Sequence, residues 1–146
     1  MLVNQILSLK DAGVTIVTIG PSASVAEAVK LLAEKRIGAV VVSEDGKKPT
    51  GILSERDIVR ELGKQGADVL SRPISELMTR KVSTCVSGDD TLGVLEKMTA
   101  GRFRHLPVID EDGNMIGLVS IGDAVSARLK ELNAEKDALT GMIMGS

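Results

Sequence analysis

The phrase "GILSERDIV" at residues 51–59 returns as "GLVSIGDAV" at residues 117–125, 66 residues later. Each occurrence sets a glycine ahead of a short aliphatic run, then a serine, then an aspartate three residues beyond the serine. Such a duplication restricts the fold more than any single motif, because it makes the chain two copies of one supersecondary unit. Laying residues 17–46 over 84–113 extends the match backward at an offset of 67. The offset then falls to 66, because "KKPTG" is one residue longer than "NMIG".

Each copy reads as a short β-rich run, a polar turn, a helix, an aliphatic strand, an acidic Asp-Gly turn, a second strand and a second helix. In the first helix Val25, Ala28, Val29, Leu32 and Ala33 keep a helical apolar period, and in its counterpart Leu92, Leu95 and Met98 do so. The runs "AVVV" and "LPVI" lack polar alternation and read as strands covered on both faces. Asp-Gly supplies the turn into "TGILS" and "MIGLVS". The closing helices are predicted at 55–62 and about 121–134. The architecture expected is α/β in the α+β sense: duplicated β-α-β-β-α units packed as a pseudo-two-fold pair. The expected divisions are residues 1–66, a first repeat with an N-terminal helical segment; 67–79, a linker with a short helix after Pro73; 80–134, the second repeat; and 135–146, a tail that frays at Gly141.

Composition excludes several classes of function. The chain has 146 residues, 43% of them apolar and 26% charged, with a formal net charge of −2. That balance suits a globular protein and offers no basic stripe for nucleic acid. Phe103 is the sole aromatic residue, so no stacking platform exists for single strands. The single cysteine, Cys85, excludes an internal disulfide and fits a reducing compartment, and its place in the apolar run "VSTCVS" is expected to make it a buried small hydrophobe rather than a reactive thiol. No apolar stretch has the length of a membrane span, and the expected location is the cytoplasm. An enzyme is disfavoured: there is no nucleophile elbow, no phosphate-binding Gly-Lys-Ser/Thr loop, and only one histidine, His105.

The duplicated phrase has two physical readings. Ser54 with Asp57, and Ser120 with Asp123, match the spacing of a helix capping box, in which the serine accepts from an orphan backbone N–H and the acid reaches back. In the second reading, the strand running directly into a capped helix offers N–H groups and a hydroxyl at a positive helix end. An anion fits there, and an aspartate one turn inside can accept from a vicinal diol such as ribose. A nucleotide supplies both groups.

These residues, Gly51, Ser54 and Asp57 with Gly117, Ser120 and Asp123, resemble the pattern of a tandem pair of CBS domains, named after cystathionine beta-synthase. "PSASVAEAVKLLAEKRIGAVVV", "ISELMT" and "DDTLGVLEKMTAGRFRHLPVIDEDG" carry the resemblance over about residues 14–133. It implies a non-catalytic regulatory module that senses adenosine-containing ligands (AMP, ADP, ATP, S-adenosylmethionine or a nicotinamide dinucleotide such as NADH) in clefts between the repeats. It places Asp57 and Asp123 on ribose hydroxyls, and Ser54 and Ser120 on ribose or phosphate. The backbone at Gly38 and Ala39, and at His105 and Leu106, would border adenine. Arg56, a cation at a helix start, opposes the dipole and is a candidate phosphate contact; its counterpart is Gly122. Arg102 and Arg104 are either phosphate contacts or solvated surface charges, and Thr15 is a candidate pocket-lining residue. No obligatory cofactor is implied, although magnesium can arrive with a polyphosphate. The expected partners are a second copy of the chain, through the helices "SVAEAVKLLAEK" and "TLGVLEKMTAG", and a separate regulated protein. The rival reading is a dimerising scaffold without nucleotide.

Overall fold

A computed structural model that describes residues 1–10 and 16–143 contains five α-helices and five strands. They are α1 (Val3–Leu9), β1 (Thr18–Ile19), α2 (Val25–Lys35), β2 (Ala39–Val42), β3 (Gly51–Ser54), α3 (Glu55–Gln65), α4 (Thr91–Gly101), β4 (His105–Ile109), β5 (Met115–Ser120) and α5 (Ile121–Ile143). Two 3-10 turns, Ala67–Ser71 and Ile74–Glu76, lie between α3 and α4. The duplicated α+β unit is thus present. By packing the chain divides into two units: residues 15–82 with 110–116, and residues 1–14, 83–109 and 117–146, as far as these are described.

In the first unit β1 runs parallel to β2, and β2 antiparallel to β3, with Ala39 opposite Ser54 and Val42 opposite Gly51. All four residues of β2 are buried, as a strand without polar alternation requires. Ser24 caps α2 by accepting from the Glu27 N–H, and Val25, Ala28 and Leu32 turn inward onto Val40, Val42, Leu53 and Ile58. Val29 and Ala33, placed on the apolar face by periodicity alone, are exposed. The linker is part of this core: Val69, Ile74 and Leu77 are buried in it.

The second unit pairs β4 with β5, and Cys85 makes a parallel bridge to Val108 where the first unit has a strand. Its core joins Val3, Cys85, Val94, Met98, Leu106, Val108, Val119 and Ala124. Burial raises the Cys85 thiol to about 11, with the Asp89 charge adding to the effect, so it is protonated and inert at neutral pH.

Three expectations are corrected. The halves align at 66 throughout their regular elements: the helix caps are Ser24 and Asp90, the left-handed ends Arg36 and Arg102, and the parallel bridges Ile19 with Val42 and Cys85 with Val108. The offset of 67 holds only at the turn glycines, Gly46 and Gly113, where φ is 76° and 82°. The inward face of α4 is therefore Thr91, Val94 and Met98, and Leu92 is exposed.

The N-terminal segment, grouped by sequence with the first repeat, packs in the unit of the second. It repeats what the linker does in the first. The Val25 N–H donates to Arg72 O and the Ile74 N–H to Ala23 O; likewise the Thr91 N–H donates to Met1 O and the Val3 N–H to Asp89 O. Pro73 bridges to Ser24 as Leu2 bridges to Asp90. "RPISELMTRK" and "MLVNQILSLK" are thus a third internal correspondence. The last helix, expected to fray at Gly141, continues to Ile143.

Candidate functional site

At each strand-to-helix junction the serine and aspartate close on one another. The Ser54 N–H and hydroxyl both donate to Asp57 Oδ2, each at 3.0 Å, and the Asp57 N–H donates back to Ser54 Oγ at 3.2 Å. In the second half the Ser120 N–H donates to Asp123 Oδ2 at 2.9 Å, and the Asp123 N–H to Ser120 Oγ at 3.1 Å. Both are complete capping boxes, holding the carboxylates at positive helix ends where negative charge is favoured. Each helix is also tied to the strand before its hairpin. The Glu55 N–H donates to Gly38 O at 2.9 Å, and the Ile121 N–H to Arg104 O at 2.8 Å.

The two glycines of the repeated phrase have a steric cause. A Cβ on Gly51 would lie 2.6 Å from Met78 Sδ and 3.1 Å from Thr79 O, while one on Gly117 would lie 2.7 Å from Leu7 Cδ2. The linker motif "LMT" thus packs on the first glycine and α1 on the second. In the first half the linker also forms edge pairing, the Ile52 N–H donating to Thr79 O and the Thr79 N–H to Ile52 O.

The cations at the two aspartates differ in origin. Asp57, buried, accepts at Oδ1 from Arg60 Nη2 at 3.0 Å, one turn along the same helix. The residue equivalent to Arg60 is Ser126, and the cation at Asp123 comes instead from the N-terminal segment: Lys10 Nζ donates to Oδ2 at 2.9 Å and to Leu118 O at 2.7 Å. Burial pushes the Asp123 carboxyl up, but Lys10 and the Ser120 N–H together outweigh it and hold the group below the usual aspartate range. A groove of about 380 Å³ opens beside this pair, lined by Ile6, Leu9, Lys10, Asp123, Ser126 and Lys130, among others.

The remaining candidates are distributed unevenly. Ala39 is buried beside Ser54, and Gly38 is half-buried. His105 is half-buried at the start of β4, one position before Leu106, whose side chain is committed to the core. Structural alignment pairs Gly38 with Arg104 and Ala39 with His105. Arg56 is exposed in the first turn of α3, and Arg104 is exposed ahead of β4. Thr15 lies outside the described residues. Sequence reasoning missed Lys10 and Arg60, of which only Arg60, three residues from Asp57 on the same helix, had a local signal. Among the described residues no group of three or more His, Cys, Asp or Glu side chains is placed to hold a metal ion, and no helix is long and apolar enough to cross a membrane.

A duplicated α+β unit with a capped aspartate at each strand-to-helix junction defines a two-repeat module rather than a catalytic centre. The family model for the CBS domain matches residues 13–64 and 74–130, and the chain belongs to the CBS-domain family as a tandem pair. CBS modules are non-catalytic regulatory domains. The chain is 37% identical to the "CBS domain-containing protein CBSX3, mitochondrial" of Arabidopsis thaliana over 84% of its own length, and spans 61% of that protein. It is similar in structure to a CBS-domain containing protein of Agrobacterium tumefaciens, with a TM-score of 0.81 and 41% identity, covering 88% of this chain and 99% of that one. Two further structures of the same fold hold adenosine ligands. A CBS domain protein of Pyrobaculum aerophilum is complexed with AMP (TM-score 0.73, 26% identity, 84% of this chain and 89% of that one). The CBS domain pair of protein MJ0100 is complexed with 5-methylthioadenosine and S-adenosyl-L-methionine (TM-score 0.74, 26% identity, 88% and 98%).

Proposed function

We propose that the chain is a regulatory sensor of adenosine-containing nucleotides of the AMP, ADP and ATP class. Ribose hydroxyls donate to Asp57 and Asp123, and Ser54 and Ser120 with the adjoining helix N–H groups receive ribose or phosphate. Arg56 and Arg104 extend toward phosphate from exposed positions, and the backbone at Gly38, Ala39, His105 and Leu106 borders adenine. Magnesium enters with a polyphosphate ligand rather than on a protein cluster. The observation that carries this reading is the paired capping box, which presents a carboxylate acceptor and helix-end donors together, in both halves, on a fold whose relatives hold AMP and S-adenosylmethionine.

Ligand acts by favouring one arrangement of the module over another, and a separate protein reads the change. The module works as a homodimer. Exposed apolar side chains on α2 (Val29), α4 (Leu92) and along α5 support that state. On α5 the exposed stripe is symmetric about Leu132, with Val125 and Leu139 equidistant on either side and Ile121 and Ile143 beyond them.

Calorimetric titration with AMP, ADP, ATP, NADH and S-adenosylmethionine, with and without magnesium, tests the reading. Saturable binding that Asp57→Ala or Asp123→Ala abolishes is the expected result. Silence across the panel would sink it in favour of a dimerising scaffold. That each capping box is closed by its own serine and aspartate, as an ordinary helix cap is, supports that second reading.

A further inference from the structure

The two ribose-type acceptors are neutralised in different ways. Arg60 reaches Asp57 from its own helix, a pair that any chain keeping α3 would make. Lys10 reaches Asp123 from a segment far away in sequence, held there by the backbone bonds that tie residues 1–4 to residues 87–91. Lys10 is the counterpart of Lys81 in the third internal correspondence, and it supplies at Asp123 the cation that Ser126, the counterpart of Arg60, does not. Its ammonium carries three N–H donors, of which Leu118 O and Asp123 Oδ2 take two. The groove beside it is lined on one face of α5 by Asp123, Ser126 and Lys130 and on the other side by Ile6 and Leu9, so two ammonium groups and a carboxylate share one opening.

We propose that Lys10 is the specificity-determining residue of the second site: stored on Asp123 in the free chain, it transfers to the ligand's phosphate when ribose hydroxyls take the carboxylate. This inference rests on the nucleotide reading above and adds to it which ligands the second site accepts. A nucleoside whose vicinal hydroxyls take both carboxylate oxygens of Asp123, Oδ1 and the Oδ2 that Lys10 holds, displaces the ammonium and returns nothing to it. A nucleotide breaks the same pair but offers Lys10 a phosphate oxygen in exchange, with Lys130 along the same helix face as a second cation. The second site thereby discriminates for phosphate through the segment that carries α1 and Lys10, whereas the cation paired with the first site's aspartate, Arg60, lies on α3 itself.

The test is titration of adenosine and AMP into the full chain carrying Asp57→Asn, which leaves the second site to be read alone, with and without Lys10→Met. Lys10 is partly exposed, and methionine keeps its apolar stem, so the fold is retained. Loss of the lysine is expected to tighten adenosine and weaken AMP, lowering the AMP-to-adenosine preference about tenfold, the size of one charge-assisted hydrogen bond in a partly solvated place. Equal shifts for both ligands, or none, overturn the role of Lys10 while leaving the nucleotide reading intact. Absence of AMP binding to the Asp57→Asn chain overturns the role of Lys10, and absence of binding to the unsubstituted chain overturns the nucleotide reading as well. NMR titration of the Asp123 carboxyl, without ligand, checks the stored pair: its midpoint is expected to rise in Lys10→Met, and an unchanged midpoint overturns the storage step.

Discussion

Gly51 and Gly117 stand at the same place in the repeat, yet the atoms that exclude a side chain there are not equivalent. At Gly51 the neighbours include the Thr79 carbonyl, fixed by edge pairing with Ile52, as well as the Met78 thioether. At Gly117 the three nearest atoms all belong to the Leu7 side chain, which can change rotamer. Gly51→Ala is accordingly expected to destabilise the protein by about 1–3 kcal/mol, and Gly117→Ala by under about 1 kcal/mol. Urea melts of the two variants measure the difference, and equal losses would show that α1 is held as rigidly over Gly117 as the linker is over Gly51. The serines and aspartates of the phrase were legible from spacing alone, because a capping box is closed by residues within one turn. Lys10 was not, since nothing near it in sequence names Asp123 as its partner.

Among the elements, the segment between the repeats shows how local pattern and tertiary packing divide the information. Pro73 and the short apolar pattern after it implied a brief ordered turn, and two 3-10 turns are found. Their role in the core came from partners distant in sequence: Ile74 is fully buried in the cluster of Val25, Val40 and Leu53. Ile74→Ala is therefore expected to cost about 2–5 kcal/mol by chemical denaturation. A loss within about 0.5 kcal/mol, typical of an exposed position, would return the segment to the status of a spacer. The one-residue error in the register between the halves has a similar origin. Asp-Gly turns are conspicuous anchors in a sequence, but the turn glycine can sit one residue later in a loop of unchanged length, while the caps and buried helix faces keep the spacing. The helix end was misread at Gly141 because a glycine costs about 1 kcal/mol locally, too little to stop the cooperative bonding of α5, which runs for 23 residues in all.

At the scale of the whole molecule, the duplication makes two Ser-Asp junctions of one design but with different wiring. The first acceptor is neutralised within α3, and the second depends on a segment packed from the other end of the chain. A ligand that binds the second site therefore acts on α1 as well as on α5, and α5 is the element with the longest exposed apolar stripe. Ile121, Val125, Leu132, Leu139 and Ile143 are all exposed on it, more apolar surface than a helix facing water on that side requires. A stripe that repeats itself about Leu132 suits closed two-fold pairing, because an isologous contact sets each patch against its own copy. The homodimer is expected in light scattering of the intact chain, and Leu132→Glu, which places a charge on the symmetry axis against its own copy, is expected to return the mass to that of one chain. Leu132 is 43% exposed, so the substitution leaves the cores untouched, and an unchanged melting profile at low protein concentration separates lost assembly from lost folding. A dimer that persists in Leu132→Glu would move the interface to the faces of α2 and α4, where Val29 and Leu92 are exposed, and a wild-type monomer would remove assembly from the regulatory reading altogether.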